Sequence, residues 1–481
     1  MVPRAAFACA VVAMASAYSW SVLTPPFQVP DEVVHFAYTE HLARTGNPPR
    51  AAGQVPYSPA EAAAIEGVRW GLIGGNSSNG RPLWTSADRL RLRALLAASP
   101  SRNGPGGSSV ASNNPPLYYA LAAVPYWLAS GGTTLDQLSA MRLLSVLVAG
   151  LTTVLIYLFV RELLPGTPWA WPAAALFCGL QPEFSFLSGG VTPDTLLIAI
   201  SAGVFLAIAR SFRRGLNATN AIALGAATGL GVITKPSFLG LLPGITLAVC
   251  LLAWRQRAVR AAVLATAVAC VPVVIYGLLS VLAWHHSVFA APPGGTTVTG
   301  GGAQGNLRGL LSYVWQDFLP RLWWMHPTWS FSPPDEFWLK GLVGRFGLLD
   351  YGFSPGVYNA ATWVFRLLVV LALAAVVSNV GHLWARRSEA ICYLTIAAGL
   401  LFVIGRAAYP VYLQGLSTAT HYPFEQARYV LPLLPLFGAL ACLAIRGVGR
   451  RLGPAISALL VTLALAHTLF ALFITLGRYY A

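Results

Sequence analysis

The sequence predicts an all-α, polytopic membrane protein with about eleven transmembrane helices. Three observations predict it. Of the 481 residues, 56% are hydrophobic and only 10% are charged, which leaves too little polar surface to cover a water-soluble globule of this size. Apolar runs of about 18 to 22 residues, each long enough to cross ~30 Å of hydrocarbon as a helix, recur from one end to the other. The connections between them alternate in character, one set short and arginine-rich, the other long and acid-bearing.

The runs fall at 5–23, 142–160, 169–189, 195–209, 218–234, 237–253, 261–283, 366–384, 390–405, 430–445 and 454–476. The first follows a single arginine, as a signal peptide would. It lacks a small-residue cleavage site and leads directly into Thr24-Pro25-Pro26, which favours an uncleaved span. The short connections hold Arg4, Arg161, Arg210, Arg213, Arg214, Arg255, Arg257, Arg260, Arg386, Arg387, Arg446, Arg450 and Arg451 against only Glu162 and Glu389. The positive-inside rule puts them in the cytoplasm, with the N-terminus inside and the C-terminus outside a plasma membrane.

Everything then belongs to one integral membrane domain, 1–481, with outer loops at 25–141, 284–365 and 406–429. Within the first loop, 117–130 is apolar but short and broken by Pro125, so it reads as a juxtamembrane or re-entrant helix. Counting it as a span would put the arginine clusters outside. The glycine-rich stretch 292–305 reads as a mobile outer loop, either a lid over substrate or a plain tether.

A net charge of +15 raises the question of nucleic acid, but the arginines cluster between apolar runs rather than along one amphipathic face. Topology accounts for them. All six cysteines lie inside the runs with no CxxC pair, as packing residues would. There is no Walker sequence, no GxGxxG opening a βαβ unit, no HExxH and no GxSxG elbow. With no cytoplasmic domain to hold a soluble nucleotide sugar, an enzyme working outside would need an activated substrate that arrives through the membrane.

The candidate chemistry lies on the outer side. After the first span, Pro30-Asp31-Glu32-Val33-Val34-His35-Phe36 opens a short helix with two adjacent carboxylates. Asp31 is either that helix's cap or a general base, and Glu32 either favours the helix dipole or acts as a second acid. His35, one turn on, either orients Asp31 and contacts substrate or is an ordinary interfacial histidine. Asp194, at the mouth of the next hairpin, is a helix cap or a site carboxylate. Lys235 is one of two lysines against 29 arginines, and Arg428 precedes the tenth run beside Tyr429. Each is either an interfacial anchor or a cation for an anionic ligand. Carboxylates beside fixed cations, drawn from four outer segments at one membrane depth, suit a reaction that deprotonates an acceptor and stabilises an anionic leaving group such as phosphate.

Several of these segments occur in an order that resembles the GT-C superfamily of membrane glycosyltransferases, which includes protein O-mannosyltransferases and lipid A aminoarabinose transferases. They are Pro30–Phe36, Asn114-Pro115-Pro116-Leu117-Tyr118-Tyr119 and Met141-Arg142-Leu143-Leu144-Ser145. Thr192-Pro193-Asp194, Thr234-Lys235-Pro236-Ser237, Gly344-Arg345-Phe346-Gly347 and Gln426-Ala427-Arg428-Tyr429 look more narrowly like a bacterial branch associated with surface polysaccharides. The resemblance implies a GT-C-like fold, a catalytic acid in the first outer loop, and inverting transfer from a polyprenyl-phosphate sugar to an acceptor hydroxyl of the cell envelope. By position it makes Asp31 the base, Glu32 the second acid and Asp194 the acid of the second outer loop. Lys235 and Arg428 are assigned to the donor phosphate on charge and side. His35, Asp194, Tyr118, Arg345 and Tyr429 are assigned to substrate contacts. A divalent cation between Asp31 and Asp194 is compatible with the carboxylates, although no ligand spacing requires one. A transporter or flippase of lipid-linked anions, and a glycan polymerase or ligase, remain as alternatives; transporters usually carry internal repeats or broken mid-membrane helices, and the sequence shows neither.

Overall fold

The computed structural model describes residues 2–49, 57–73, 84–104, 109–285, 306–328, 334–378, 380–418 and 425–480, so the glycine-rich loop at 292–305 lies outside the described residues. Nine described helices are long and apolar enough to cross a membrane: Arg4–Leu23, Thr134–Leu163, Pro193–Arg214, Pro236–Gln256, Val259–Ala283, Pro355–Val377, Arg387–Gln414, Ala427–Gly447 and Gly449–Tyr479. The two other expected spans are shorter apolar helices, Ala170–Gly179 with its continuation Pro182–Ser188, and Ala218–Val232. The described strands are one antiparallel pair, in which Arg345 faces Gly352 and Phe346 faces Tyr351.

Local chemistry sets the boundaries, and it moves several of them. The second span begins at Thr134, because Thr133 and Asp136 form a capping box in which each side chain accepts from the other's backbone N–H. Arg142 therefore sits two turns inside a helix rather than at its edge. The span expected at 169–189 breaks at Leu180–Gln181. Pro182 has no N–H to donate, Gln181 turns extended, and its side chain accepts from Phe184 N to start a new helix. At 1.5 Å per residue, the ten residues of Ala170–Gly179 rise about 15 Å, so a discontinuity that sequence periodicity hides falls near mid-bilayer. The span expected at 366–384 starts earlier, at Pro355, and the one at 390–405 continues to Thr418, which turns much of the third outer loop into helix.

The lipid-facing side is equally plain. Along Val259–Leu278 only Ala265 is buried, and Trp363, Leu367, Val370 and Leu373 line one exposed face of Pro355–Val377. Such surface is stable only against hydrocarbon. Cys250 and Cys270 are on this perimeter, whereas Cys9, Cys178, Cys392 and Cys442 are buried.

At the acid-bearing end, Glu32–Thr45, Pro59–Gly67 and Leu117–Leu128 pack over the bundle around their own aromatic core. Phe27, Phe36, Tyr38, Tyr118, Tyr119 and Tyr126 are each at most 1% exposed, and the rings of Tyr38 and Tyr119 stack with centroids 3.6 Å apart. The 12-residue Leu117–Leu128 helix stays in this layer, as its length and Pro125 suggest.

Candidate functional site

Where the first span ends, Arg142 holds the chain. Its guanidinium donates to the Ser21, Thr24 and Pro25 carbonyls at 2.8 to 3.0 Å and grips the Glu32 carboxylate with both arms, at 2.8 and 2.6 Å. Glu32 also accepts from Val191 N at 3.0 Å, across the chain from its own helix. That approach requires the two glycines before Val191: a Cβ on Gly189 would lie 2.7 Å from Ser21 N, and one on Gly190 would lie 2.6 Å from the Val29 side chain. Glu32 is completely buried and its oxygens are already engaged. With Arg142 it fastens the end of the first span, its own helix, the second span and the turn at Val191 together.

The same fastening fixes the turn that follows. Thr192 Oγ1 accepts from Asp194 N at 3.3 Å and donates to Asp194 Oδ2 at 3.2 Å, and Pro193 occupies the first helical position, so the helix is capped by Thr192 and the Asp194 carboxylate is held facing its cations. Lys235 Nζ donates to Asp194 Oδ1. Arg428, only 4% exposed, reaches Asp194 at 3.9 Å and Asp31 at 2.5 Å. Its Nε is buried without a hydrogen-bond partner. The order Asp31, Arg428, Asp194, Lys235 is thus a continuous chain of alternating charge from four distant segments, closed on one side by the Tyr429 ring, 5.5 Å from Lys235 Nζ and 5.2 Å from Arg428 Cζ. Arg428's guanidinium lies between the two carboxylates, in the place a divalent cation bridging them would take.

Asp31 occupies the N-cap position of its helix but makes no cap bond, and its backbone is left-handed, with φ 61°. Non-glycine residues rarely adopt that conformation, and Asp and Asn tolerate it best. The carboxylate is directed at Arg428 and keeps 41% of its side chain exposed at the mouth of the recess. Partial desolvation would raise its pKa, but Arg428, with help from His35 and Lys235, outweighs that and holds it at about 2.

His35 is 4% exposed, and burial pushes its imidazole down to about 4, so it is neutral near pH 7. Asn114 Nδ2 donates to the Tyr119 hydroxyl at 3.0 Å, and that hydroxyl meets His35 Nδ1 at 3.0 Å. With the asparagine as donor, Tyr119 donates to Nδ1 and the imidazole proton resides on Nε2.

Other assigned residues stand elsewhere. Tyr118 is fully buried, its hydroxyl 3.3 Å from Ser145 Oγ and hydrogen-bonded to the Thr192 backbone, two residues before Asp194. Arg345 joins at the periphery, through its backbone, which hydrogen-bonds Glu183. Glu183, 2% exposed in the short helix after the break and within electrostatic reach of Arg428 and Asp194, was not expected. Neither was the Glu32–Arg142 clasp. An arginine at the outer end of an apolar run runs against the positive-inside bias and needs an acidic partner, and that was the available signal. A further buried group, Tyr313 donating to Glu425 and Trp338 Nε1 donating to Asp317 at 3.1 Å, reaches the site's segment at Glu425, three residues before Arg428, and had no legible pattern.

One turn below Arg428 an apolar cavity of about 550 Å³ opens, walled by Leu342, Phe365, Leu431, Leu434, Phe437 and Phe470.

Among solved structures, the chain is similar to ArnT from Cupriavidus metallidurans in the apo state, with 14% identity, a TM-score of 0.47, and 91% of this chain and 59% of that one covered. It is similar to the Archaeoglobus fulgidus oligosaccharyltransferase in the apo form, with 14% identity, a TM-score of 0.42, and coverage of 99% and 55%. ArnT bound to undecaprenyl phosphate matches at 15% identity and a TM-score of 0.33, with coverage of 92% and 77%. The chain spans a little over half the length of the first two. No curated protein matches the sequence. The family whose description does match is that of the predicted membrane proteins DUF2142, over residues 15–437, and the chain belongs to it.

Proposed function

We propose that the chain is a glycosyltransferase that takes a sugar from a polyprenyl-phosphate donor and passes it to a hydroxyl of a cell-envelope acceptor on the extracytoplasmic side. The observation that carries this reading is the Asp31–Arg428–Asp194–Lys235 chain, with an unpartnered Arg428 Nε, and an apolar cavity whose wall starts at Leu431, three residues beyond Arg428. Two cations beside an exposed carboxylate fit a phosphate next to a nucleophile, and the cavity fits the first isoprene units of a carrier lipid.

In the proposed step the acceptor oxygen attacks the anomeric carbon and its proton passes to Asp31. The bond from that carbon to the phosphate oxygen breaks, and its electron pair leaves with the phosphate, held by Lys235 and Arg428. A carboxylate near 2 is a weak base, so the Arg428 contact has a consequence for timing. When a donor phosphate draws Arg428 away, Asp31 loses its main counter-charge while staying partly desolvated, and its basicity rises as the donor arrives. Asp194 keeps Lys235 in place meanwhile, and Glu32 acts as a positioning residue rather than a second acid.

The test is release of polyprenyl phosphate from a labelled donor by the purified chain and by its Asp31→Asn and Lys235→Ala variants. General-base catalysis is worth roughly 10²- to 10⁴-fold, so Asp31→Asn is expected to lose at least about a hundredfold in turnover. Wild-type turnover in that variant removes Asp31 as the base. The helix break at Leu180–Gln181 favours a second reading, movement of a lipid-linked anion without bond making. Labelled lipid crossing a liposome bilayer, with no phosphate released, selects it.

A further inference from the structure

The far ends of the site's own helices meet again at the other side of the bundle. From Asp194 to Arg213 the Pro193–Arg214 helix rises about 28 Å, at 1.5 Å per residue, and the segment that begins with Arg428 ends at Arg446. There a cavity of about 510 Å³ opens among the arginine-rich connections. Arg213, Arg386, Arg446 and Arg450 line it, brought from three separate connections, together with apolar wall from Leu163 and an indole edge from Trp169. Among the described residues, no carboxylate lines it. Glu389, which pairs with Arg386 at 2.6 Å, lies in the adjoining recess. Arg213 and Arg386 both donate to the Leu163 carbonyl, at 3.2 and 2.6 Å, which fixes two of the four guanidiniums against the end of the Thr134–Leu163 helix.

Orienting a helix in a membrane requires positive charge near its end, but it does not require four such ends to turn their charges onto one concave wall. Arg386 is paired with Glu389, and Arg213 feels Glu389 and Glu162 as well as Arg386, yet four guanidiniums against these carboxylates leave the wall net positive, and an anion complements it. The wall is mixed, guanidinium above leucine and tryptophan, so the complementary ligand is an anion that carries hydrocarbon rather than a fully hydrated ion. We propose that this cavity binds the phosphodiester head group of an anionic phospholipid from the leaflet on the arginine-rich side, the cytoplasmic one by the charge rule. It is a site separate from the proposed transfer chemistry and does not rest on it.

The test uses the full chain in detergent, titrated with phosphatidylglycerol, phosphatidylcholine or free glycerol phosphate and followed by native mass spectrometry. Phosphatidylglycerol is expected to saturate one site at least about tenfold more tightly than phosphatidylcholine, with free glycerol phosphate not retained. A cation at a membrane surface contributes about fivefold, so Arg446→Gln and Arg450→Gln should each weaken phosphatidylglycerol by about that factor, and by about 25-fold together. The double variant Arg387→Gln/Arg451→Gln removes two arginines from the same side but outside the cavity, and should leave binding unchanged. Equal retention of both lipids overturns the proposal. Equal loss in the two double variants overturns it in favour of diffuse surface charge, and retention of glycerol phosphate as tight as the lipid's overturns it in favour of a soluble anion. Melting temperatures within error of wild type for the exposed Arg450→Gln chain exclude unfolding as the cause of a loss.

Discussion

Asp31 shows how much a single residue's surroundings decide. Its left-handed backbone makes asparagine the informative replacement, because Asn tolerates φ 61° as Asp does, whereas alanine would add strain to the loss of charge. Arg428 keeps the free carboxylate ionised down to about pH 2, so kcat/KM is expected to show no acid limb from Asp31 in the range where the protein is handled, above about pH 5. In Arg428→Gln the balance reverses: burial is then the leading influence, the Asp31 pKa rises, and activity falls on acidification at a higher pH than in wild type. Coincident acid limbs in the two proteins would refute this. Glu32 answers to a different test. Removing one partner of its buried pair with Arg142 should cost about 3–5 kcal/mol, measured for Glu32→Gln by denaturation in detergent, while the double replacement Glu32→Leu/Arg142→Met recovers part of that loss. Of these residues the sequence made Asp31, Asp194, Lys235 and Arg428 visible, because charge is scarce in an apolar chain and has to be explained. Glu32 carried the same charge and looked the same; only its neighbours, 110 and more residues away, separate a clasp from a site acid.

Elements aim these side chains. The short helix Pro182–Ser188, the Gly189-Gly190 approach, the Val191 bond to Glu32 and the Thr192 cap form one continuous device that ends in Asp194. Gly190→Ala puts a methyl against Val29 and should destabilise by about 1–3 kcal/mol, with turnover falling further than stability alone explains because Asp194 shifts. A variant with normal melting and normal turnover would remove the device from the account. Helix existence was legible here and helix continuity was not. Over 169–189 the apolar residues on either side outweigh Gln181-Pro182-Glu183, so the run reads as one span, yet the break falls at that proline and that glutamine, whose side chain substitutes for a turn of backbone. Likewise Thr133 and Asp136 moved a boundary by eight residues because a capping box outweighs the onset of hydrophobicity.

At the scale of the whole molecule, charge is sorted between two ends. One end gathers Asp31, Asp194, Lys235 and Arg428, and the last helix also finishes there, with Arg478 pairing Asp350 at 2.9 Å. The other end holds the arginine connections. A single cysteine placed at Asn103 in a cysteine-free chain should react with an impermeant maleimide added to intact cells, and one placed at Arg387 only after permeabilisation; the opposite pattern would invert the topology. The helical spans were legible because composition is additive along the chain, whereas the cavities were not, since each is made where distant helix ends meet. The perimeter thiols carry one more consequence. Cys250 and Cys270 face hydrocarbon in the native sequence, so a nitroxide on either reads immersion depth from the competition between dissolved oxygen and a water-soluble nickel chelate, and the tilt of the protein in its bilayer becomes measurable without engineering the chain.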